Sequence, residues 1–333
     1  MTPRPVTPES RAGALALLAM SDGAAPSGQQ WTVSTASDEF TVCEVGGTLR
    51  SWVHDGREVL AGFDPQDPIL AGRGQQLLPW PNRIRDGRYV VGGVERQLPL
   101  TEVGLGNASH GLVRWVPWSV VDLGEASLTV GTTLRPQPGW DWTLALTTTY
   151  AVGPDGLSVT TVVTNLSDTS APFGGGWHPY VAIGDAAVEG VRLTLPAAEY
   201  AVVDDRLLPV GIEPVDASVE SGPGTDFRAG REIGATRLDT AYTGLVGDDD
   251  GRWRVRVDVP GGPTHVVWGD LAAFPWVQVF TGKAEAGQPE PHGIAVEPMT
   301  CPADAFNSGR DLVMLEPGQS WTGTWGIEAP VWS

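Results

Sequence analysis

Alternation of apolar and polar residues over short stretches is the feature that most limits what this chain can fold into. In residues 252–259 (RWRVRVDV), tryptophan and valine occupy every second position, and arginine or aspartate occupies the positions between them. A period of two places the apolar side chains on one face of a β-strand and the charged side chains on the other. The segment therefore predicts a strand that is half buried.

Similar patterns recur along most of the chain. The segments that begin at Trp142 (WTLALTTTYAV) and Leu157 (LSVTTVVTNLS) flank residues 153–156 (GPDG), whose types suit a tight turn, so we predict a hairpin. Shorter strands are predicted for EFTVCEV, SLTVGTTL, VRLTLP, THVVWG and WVQVFTG. The 43 glycines and 28 prolines separate these runs, and long amphipathic helices are scarce. The expected fold is all-β, a sandwich or barrel built as one large domain.

The composition is typical of a folded globular protein and excludes some classes of partner. Of the 333 residues, 41% are hydrophobic and 18% are charged. Forty acidic and 21 basic residues give a formal net charge of −19, which repels phosphate backbones and anionic lipids, so we expect no nucleic-acid and no membrane partner. Two cysteines, Cys43 and Cys301, are too few for a disulfide framework, and we expect reduced thiols in a cytoplasmic protein.

The first 30 residues are expected to form an N-terminal extension, either a short helix that opens at Thr7-Pro8 or a disordered segment, before a domain over residues 31–333. Residues 11–20 (RAGALALLAM) resemble the apolar part of a signal peptide, but Glu9 weakens the positive region that should precede it. Farther along, residues 247–251 (GDDDG) are expected to form a solvated turn. The alternative, a calcium loop, lacks a recognisable ligand spacing.

The segment LLPWPNRIRDG, residues 77–87, combines hydrogen-bond donors with a stiffened loop. Asn82 and Arg83 follow two prolines, which restrict the backbone conformations of the loop. The amide and the guanidinium offer several directional donors, which suit the hydroxyl oxygens of a ligand or a developing oxyanion. The alternative is a structural arginine that caps backbone carbonyls.

Two histidines lie beside glycines. His110 precedes a glycine in ASHGLVRWVPW, and His178 follows three glycines and a tryptophan in FGGGWHPYV. An unperturbed imidazole titrates at about pH 6.5, so it can donate or accept protons at neutral pH. The glycines around His178 allow a ligand to approach the backbone. For both histidines the alternative is a structural, hydrogen-bonded residue of the fold.

The segment GIAVEPMTCPADAFNSG, residues 293–309, places Glu297 at the end of an apolar stretch and before Pro298. Ionised carboxylates are rarely buried without partners, because desolvation disfavours the charged form. Partial shielding from water raises the pKa of a carboxyl group toward values that suit a general base. The alternative is a salt bridge or a hydrogen bond to a loop.

Two further polar residues lie among or near aromatic residues: Asp239 in RLDTAYTGL and Gln278 in FPWVQVFTG. The flat apolar face of tryptophan suits the C–H face of a sugar ring, and polar groups beside it can bind the hydroxyls. Of the 14 tryptophans, Trp80, Trp177 and Trp276 lie nearest the candidate polar residues, and we expect Trp80 and Trp177 to contact such a ligand. Core packing is expected for most of the others.

In chain order, these segments resemble the aldose 1-epimerase (mutarotase) family. The resemblance spans about residues 31–330 and is carried by PWPNRI, HG at 110–111, WHPY at 177–180, LDTAYTG at 238–244, VQVFTG at 277–282 and AVEPMTCPADAFN at 295–307. The spacing EP-x-x-x-x-x-DAFN is its most specific element. The resemblance implies a large antiparallel β-supersandwich with a shallow sugar cleft. It also implies interconversion of the α and β anomers of a free hexose such as glucose or galactose, with neither a metal nor another cofactor.

The resemblance also implies roles at matching positions. Glu297 matches the general base, His178 the general acid, and His110 a second histidine on the ring-oxygen side. The residue types fit the reaction independently, because anomer exchange removes a proton from the C1 hydroxyl and delivers one to the ring oxygen. A carboxylate and an imidazole on opposite sides of one sugar suffice, and each typically contributes about 10²–10⁴-fold.

Four more positions match sugar-binding residues of the family. Asn82 and Arg83 match the pair that orients the sugar, Asp239 matches the acid that holds substrate hydroxyls, and Gln278 matches a further ligand. The alternatives are a non-catalytic sugar-binding module on the same scaffold, and a glycosidase or lyase that pairs Asp239 with Glu297. A metal site from two histidines and Glu297 lacks any close His-x-His or His-x-x-x-His spacing.

Two departures from the family leave the sugar specificity open. Trp177 stands where many mutarotases carry a polar residue, and His110 precedes Gly111-Leu112 instead of a glycine pair. Relatives of the family bind hexose 6-phosphates, and an arginine such as Arg73 or Arg85 would serve a phosphate, unless both are solvated loop residues. The acidic net charge favours a neutral sugar.

Overall fold

The computed structural model describes residues 25–216, 224–282 and 293–332. The predictions made for residues 1–24 lie outside the described residues. Residues 25–30, which the sequence assigned to the extension, are packed against the domain. Ser27 is fully buried, its carbonyl accepts a hydrogen bond from the N–H of Val45 at 3.0 Å, and the first strand begins at Gln30.

Nearly all regular structure is β-strand. The strands are β1 (Gln30–Ser34), β2 (Asp38–Cys43), β3 (Leu49–His54), β4 (Arg57–Glu58), β5 (Gln76–Leu77), β6 (Arg83–Arg85), β7 (Arg88–Val91), β8 (Val94–Gln97), β9 (Asn107–Ser109), β10 (Ser119–Leu123), β11 (Ser127–Leu134), β12 (Leu144–Gly153), β13 (Gly156–Asn165), β14 (Ala171–Phe173), β15 (Gly176–Trp177), β16 (Tyr180–Ala182), β17 (Arg192–Thr194), β18 (Ala197–Val203), β19 (Pro209–Pro214), β20 (Arg231–Glu232), β21 (Asp239–Leu245), β22 (Arg252–Asp258), β23 (Pro263–Asp270), β24 (Trp276–Phe280), β25 (Gly293–Met299), β26 (Val313–Leu315), β27 (Ser320–Glu328) and β28 (Val331–Trp332). Two short helical segments accompany them, a 3₁₀ turn (Val188–Gly190) and α1 (Ala305–Ser308). No described helix is long and apolar enough to cross a bilayer.

Two large antiparallel sheets dominate the fold. A ten-stranded sheet has the order β10-β11-β12-β13-β27-β23-β22-β17-β20, with β28 beside β23. An eight-stranded sheet has the order β19-β18-β21-β24-β25-β15-β5, with β16 beside β25. One continuous apolar cluster includes Val255 and Val257 of the first sheet and Val279 and Val296 of the second, so the sheets pack on one another. The predicted all-β, antiparallel class is confirmed.

The strands follow the predicted alternation. In β22, Trp253, Val255 and Val257 are fully buried, whereas Arg254 and Arg256 reach carboxylates on the other face. Strands β12 and β13 pair antiparallel from Leu144 opposite Asn165 to Gly153 opposite Gly156, as expected for the hairpin.

Residues 247–251 lie between β21 and β22 and form the expected turn. Two of its acids pair with Arg254, Asp248 at 2.6 Å and Asp250 at 2.7 Å. In the described residues, no group of three or more His, Cys, Asp and Glu side chains is arranged to hold a metal ion, so neither the calcium loop nor the histidine–glutamate metal site gains support.

The eight-stranded sheet presents a polar face away from the core at β21, β24 and β25. In β25, Ile294 and Val296 belong to the main apolar cluster, whereas Glu297 points to the opposite face because successive side chains alternate along a strand. The register places Gln278 directly opposite Glu297. Asp239 begins the next strand, opposite Phe280. The acid therefore ends an apolar stretch without entering the core.

Candidate active site

A cleft with a cavity volume of about 510 Å³ lies over this polar face. Seven of the nine residues predicted to form a site line it: Asn82, Arg83, His110, His178, Asp239, Gln278 and Glu297. They come from β6, β21, β24, β25 and the loops around β9 and β15, so segments that are far apart in the chain meet at one place. The other two predicted residues, Trp80 and Trp177, do not line the cleft.

Glu297 and His178 are in direct contact at the floor of the cleft. Nε2 of His178 lies 3.4 Å from Oε1 of Glu297, and the residues are 6% and 3% exposed. This separation corrects the expectation that they flank a sugar from opposite sides, since no ring fits between them. They lie side by side and face the same space.

The His178 ring is held by aromatic and backbone contacts. It stacks on Tyr180 with ring centroids 5.0 Å apart, and it is T-shaped to Phe280 with ring centroids 6.4 Å apart. The hydroxyl of Tyr180 donates a hydrogen bond to the carbonyl of Ala71, which fixes the loop beside the ring. In that loop Gly72 has a φ of 69°, and a Cβ atom there would lie 2.8 Å from Cδ2 of His178. Only glycine allows the loop to pass this close.

Burial shifts the pKa values of the pair in opposite directions. It raises the pKa of Glu297 well above its usual value; the nearby Asp239 carboxylate adds to this, and Arg83 opposes it. Burial lowers the pKa of His178 to about 3, and the positive charges of Arg114 and Arg73 act in the same direction. Burial therefore favours the arrangement in which the pair shares one proton and carries no charge.

His110 and Asn82 fix one another across the cleft wall. The N–H of Asn82 donates to Nδ1 of His110 at 3.2 Å, and the N–H of His110 donates to the carbonyl of Asn82 at 2.8 Å. Burial and nearby positive charge hold the pKa of His110 well below its usual value, so the ring is neutral near pH 7. With Nδ1 as an acceptor, its proton lies on Nε2.

A chain of hydrogen bonds links the predicted sugar-binding residues. Nη1 of Arg83 donates to the Asn82 side chain at 3.0 Å, whose amide lies 3.5 Å from the oxygen of Gln278. Gln278 in turn donates to Asp239. Arg83 also forms a two-bond ion pair with Glu102, at 2.8 and 2.9 Å, a partner that no feature of the sequence indicated.

The segment after Glu297 braces the loop that carries Arg83. The N–H of Asp304 donates to the carbonyl of Arg83 at 2.6 Å, and the Asp304 carboxylate accepts from the N–H of Arg85 at 3.0 Å. The guanidinium of Arg85 is also held by Asp304, at 3.4 Å, and Arg85 does not line the cleft. Of the two arginines considered for a phosphate, only Arg73 reaches the site.

The expectation for Trp80 and Trp177 is wrong, because both are 2% exposed and packed in the core. The Trp177 ring packs edge-to-face against Phe274 with centroids 5.4 Å apart, so it faces the core, whereas the next residue, His178, lines the cleft. Sequence reasoning missed Trp115, which lines the cleft and is 57% exposed. It lies within the ASHGLVRWVPW segment, but no periodicity there indicates its direction.

Comparisons with known proteins agree with the fold and identify the family. A family model described as aldose 1-epimerase matches residues 29–328. The uncharacterized protein YihR of Escherichia coli (strain K12) is 34% identical over 292 residues, which covers 86% of this chain and 90% of that protein. The solved structure of the GalM/aldose epimerase homologue from C. elegans has a TM-score of 0.76 at 18% identity and covers 91% of this chain and 99% of its own. The galactose 1-epimerase from Lactobacillus acidophilus NCFM has a TM-score of 0.71 at 20% identity, with coverages of 90% and 94%. The predicted mutarotase-like supersandwich is thereby confirmed as the fold.

Proposed function

Because the chain belongs to the aldose 1-epimerase family, we propose that it is an isomerase that interconverts the α and β anomers of a hexose. The observation that carries the proposal is the contact between Nε2 of His178 and Oε1 of Glu297 at the floor of a cleft of about 510 Å³. A carboxylate and an imidazole in contact can take a proton from one substrate atom and give a proton to another.

Their side-by-side placement suits the two atoms that exchange protons. The C1 hydroxyl oxygen and the ring oxygen O5 are bonded to the same carbon, so adjacent groups on one wall reach both. Ring opening starts from the form of the pair in which the shared proton lies on His178 and Glu297 is ionised. Glu297 then takes the proton from the C1 hydroxyl while His178 gives its proton to O5. The C1–O5 bond breaks and the C1–O1 bond becomes a carbonyl. The pair gains one proton and loses one, so its proton count is unchanged.

Closure uses the same groups in exchanged roles. After the aldehyde rotates about C1–C2, His178 takes the O5 proton and Glu297 returns a proton to O1 as O5 attacks the other face of the carbonyl. Ring opening leaves the pair in its uncharged arrangement, which burial favours. The raised pKa of Glu297 therefore assists the proton transfer from the C1 hydroxyl.

The remaining polar residues hold the sugar while C1 turns. Asn82, Gln278 and Asp239 form a connected set of donors and acceptors beside Glu297, and Arg83 is fixed by Glu102. Nε2–H of His110 is available as a donor on the His178 side, since the two rings are 5.9 Å apart. Trp115, at the rim, offers an apolar face to the C–H surface of a pyranose.

The test is the rate of anomer exchange, measured by NMR exchange spectroscopy between the α and β H1 signals of hexoses at equilibrium. We expect the protein to accelerate exchange for a panel of D-glucose, D-galactose and their C6-anionic derivatives, compared with heat-denatured protein. Saturable binding without acceleration of any of these sugars would contradict the proposal and favour a non-catalytic sugar-binding module. Release of the chromophore from a chromogenic glycoside would favour a glycosidase.

A further inference from the structure

Three guanidinium groups line the cleft of a protein whose net charge is −19. They belong to Arg73, Arg83 and Arg114, and only one of them has a carboxylate partner at ion-pair distance in the described residues. Arg83 is paired with Glu102 through two short bonds. Neither Arg73 nor Arg114 has a carboxylate within ion-pair distance in the described residues.

Arg73 is a partly desolvated cation with unused donors. Its Nη1 donates to the carbonyl of Gly62 at 2.9 Å, and its guanidinium lies 5.7 Å from the centre of the Tyr180 ring. Its Nε is buried and has no hydrogen-bond partner among the described residues. Asp67 attracts Arg73 from the cleft wall without forming an ion pair. Burying a cation without an anion, or an N–H group without an acceptor, costs free energy of folding unless a ligand supplies the missing partner.

Arg114 is in a similar position. Its guanidinium lies 5.3 Å from the centre of the Trp115 ring, and no side-chain hydrogen bond connects it to the described part of the protein. Glu102 is the carboxylate that attracts it, but both Glu102 oxygens are bound by Arg83. Burial lowers the pKa of the Arg114 guanidinium, and the Glu102 carboxylate opposes this effect.

Both arginines act on the ring-oxygen end of the site. Arg73 lies over the ring of Tyr180, which stacks on His178, and Gln75 links the backbone of Arg114 to that of His178. The positive charges of both arginines act on His178, the group that serves O5, whereas the charge that acts on Glu297 comes from Arg83. In a hexopyranose the exocyclic carbon C6 is attached to C5, which is bonded to O5. A substituent on C6 therefore extends from the ring on the side where Arg73 and Arg114 lie.

We propose that the substrate is a hexose with an anionic group on C6, and that Arg73 and Arg114 bind this group. The inference rests on the proposed function and names the class of its substrate. Carboxylate, phosphate and sulfonate share the required chemistry, because each presents several anionic oxygens to guanidinium donors. The local charge of the cleft thus overrides the expectation of a neutral sugar that the net charge suggested.

Binding of an anion also assists catalysis. The two guanidinium charges depress the pKa of His178, and an anion between them would offset that effect. His178 would then hold the proton that it must give to O5. The anionic group of the substrate would in this way promote protonation of the general acid. A neutral hexose leaves both charges uncompensated.

The experiment compares four sugars with the wild-type protein by exchange spectroscopy: D-glucose, D-glucuronate, D-glucose 6-phosphate and 6-deoxy-6-sulfo-D-glucose. We expect kcat/KM for at least one anionic sugar to exceed that for glucose by about 10-fold or more. The three anionic sugars distinguish a planar carboxylate from the tetrahedral groups, and a phosphate from a sulfonate. Glucose turned over as well as or better than all three would overturn the inference and leave the proposed function standing. No exchange with any sugar would overturn both.

The arginines are tested with Arg73→Gln, Arg114→Gln and the double variant. We expect the ratio of kcat/KM for the preferred anionic sugar to that for glucose to fall about 10-fold to 100-fold, chiefly through KM. Arg237→Gln is the matched control, because it removes the same charge from a residue outside the cleft that pairs with Glu189 at 2.7 Å. An unchanged ratio in the double variant would overturn the assignment of these residues.

Binding gives a second readout that does not depend on turnover. Titration calorimetry with Glu297→Gln should show tighter binding of the preferred anionic sugar than of glucose. Adding Arg73→Gln and Arg114→Gln to that protein should remove the difference. Equal affinity for glucose and all three anionic sugars in Glu297→Gln would contradict the inference.

Discussion

The carboxyl group of Glu297 faces the cleft but is almost completely removed from water. Its one close polar contact in the described residues is Nε2 of His178, at 3.4 Å. Such a group would be stabilised in the core by more partners, whereas here its oxygens stay available to a ligand. Function and stability therefore oppose each other at this residue, which is common at active sites.

This opposition predicts how Glu297→Gln changes stability with pH. Since the folded pKa of Glu297 lies well above the usual value of 4.5, its contribution to folding is fully present below about pH 4.5 and is lost as the pH rises through the folded pKa. Glutamine does not ionise, so the variant lacks this loss. We expect the free energy of unfolding of the variant, relative to wild type, to grow by about 1.4 kcal/mol per pH unit across that window. Urea unfolding from about pH 4 to pH 8 measures it, and a difference that is constant or greatest in acid would contradict the account.

At the scale of elements, the register of three strands builds the floor of the site. Gln278 opposite Glu297, and Asp239 opposite Phe280, follow from the pairing of β21, β24 and β25. Alternation predicted the strands themselves, and β11 matches the predicted SLTVGTTL segment. Alternation did not predict which face of the sheet the Trp177 side chain lies on, because β15 has only two residues and shows no period. Trp177 was therefore misplaced beside its neighbour.

The walls depend on turns that periodicity cannot indicate. Asn82 and His110 both have left-handed backbones, with φ of 55° and 63°, and their reciprocal hydrogen bonds hold two loops together. Gly111 follows with a φ of 74°, and a Cβ atom there would lie 2.0 Å from the carbonyl oxygen of Leu78. The HG motif in the sequence is thus explained by backbone packing as well as by chemistry.

Gly111→Ala should therefore disrupt the site through the backbone. We expect it to lower the free energy of unfolding by about 2 kcal/mol or more, because it adds backbone strain and a clash that no side-chain movement relieves. Gly104→Ala is the matched control, since nothing lies within 4 Å of a Cβ atom at that glycine. Denaturant unfolding of both variants measures the effect. Equal stability of the two variants would show that the close approach is not required.

At the scale of the whole molecule, two packed sheets bring together residues that are about two hundred positions apart. The fold class and seven of the residues that line the cleft followed from motifs in the sequence. The partners Glu102, Arg114 and Trp115 did not, because each reaches the cleft through loops whose paths depend on the packed structure. The net charge of −19 likewise gave no indication of a cleft with two uncompensated arginines.

The central claim is that Glu297 and His178 act as one proton-transfer unit. It is tested by kcat/KM for anomer exchange in Glu297→Gln, His178→Asn and the double variant, each shown to be folded by circular dichroism. We predict that kcat/KM falls at least about 100-fold in each single variant. We expect kcat/KM of the double variant to be close to that of the less active single variant, because removing either residue already prevents the paired proton transfer. Single variants within about threefold of wild type, or a double variant whose loss equals the product of the single losses, would contradict it.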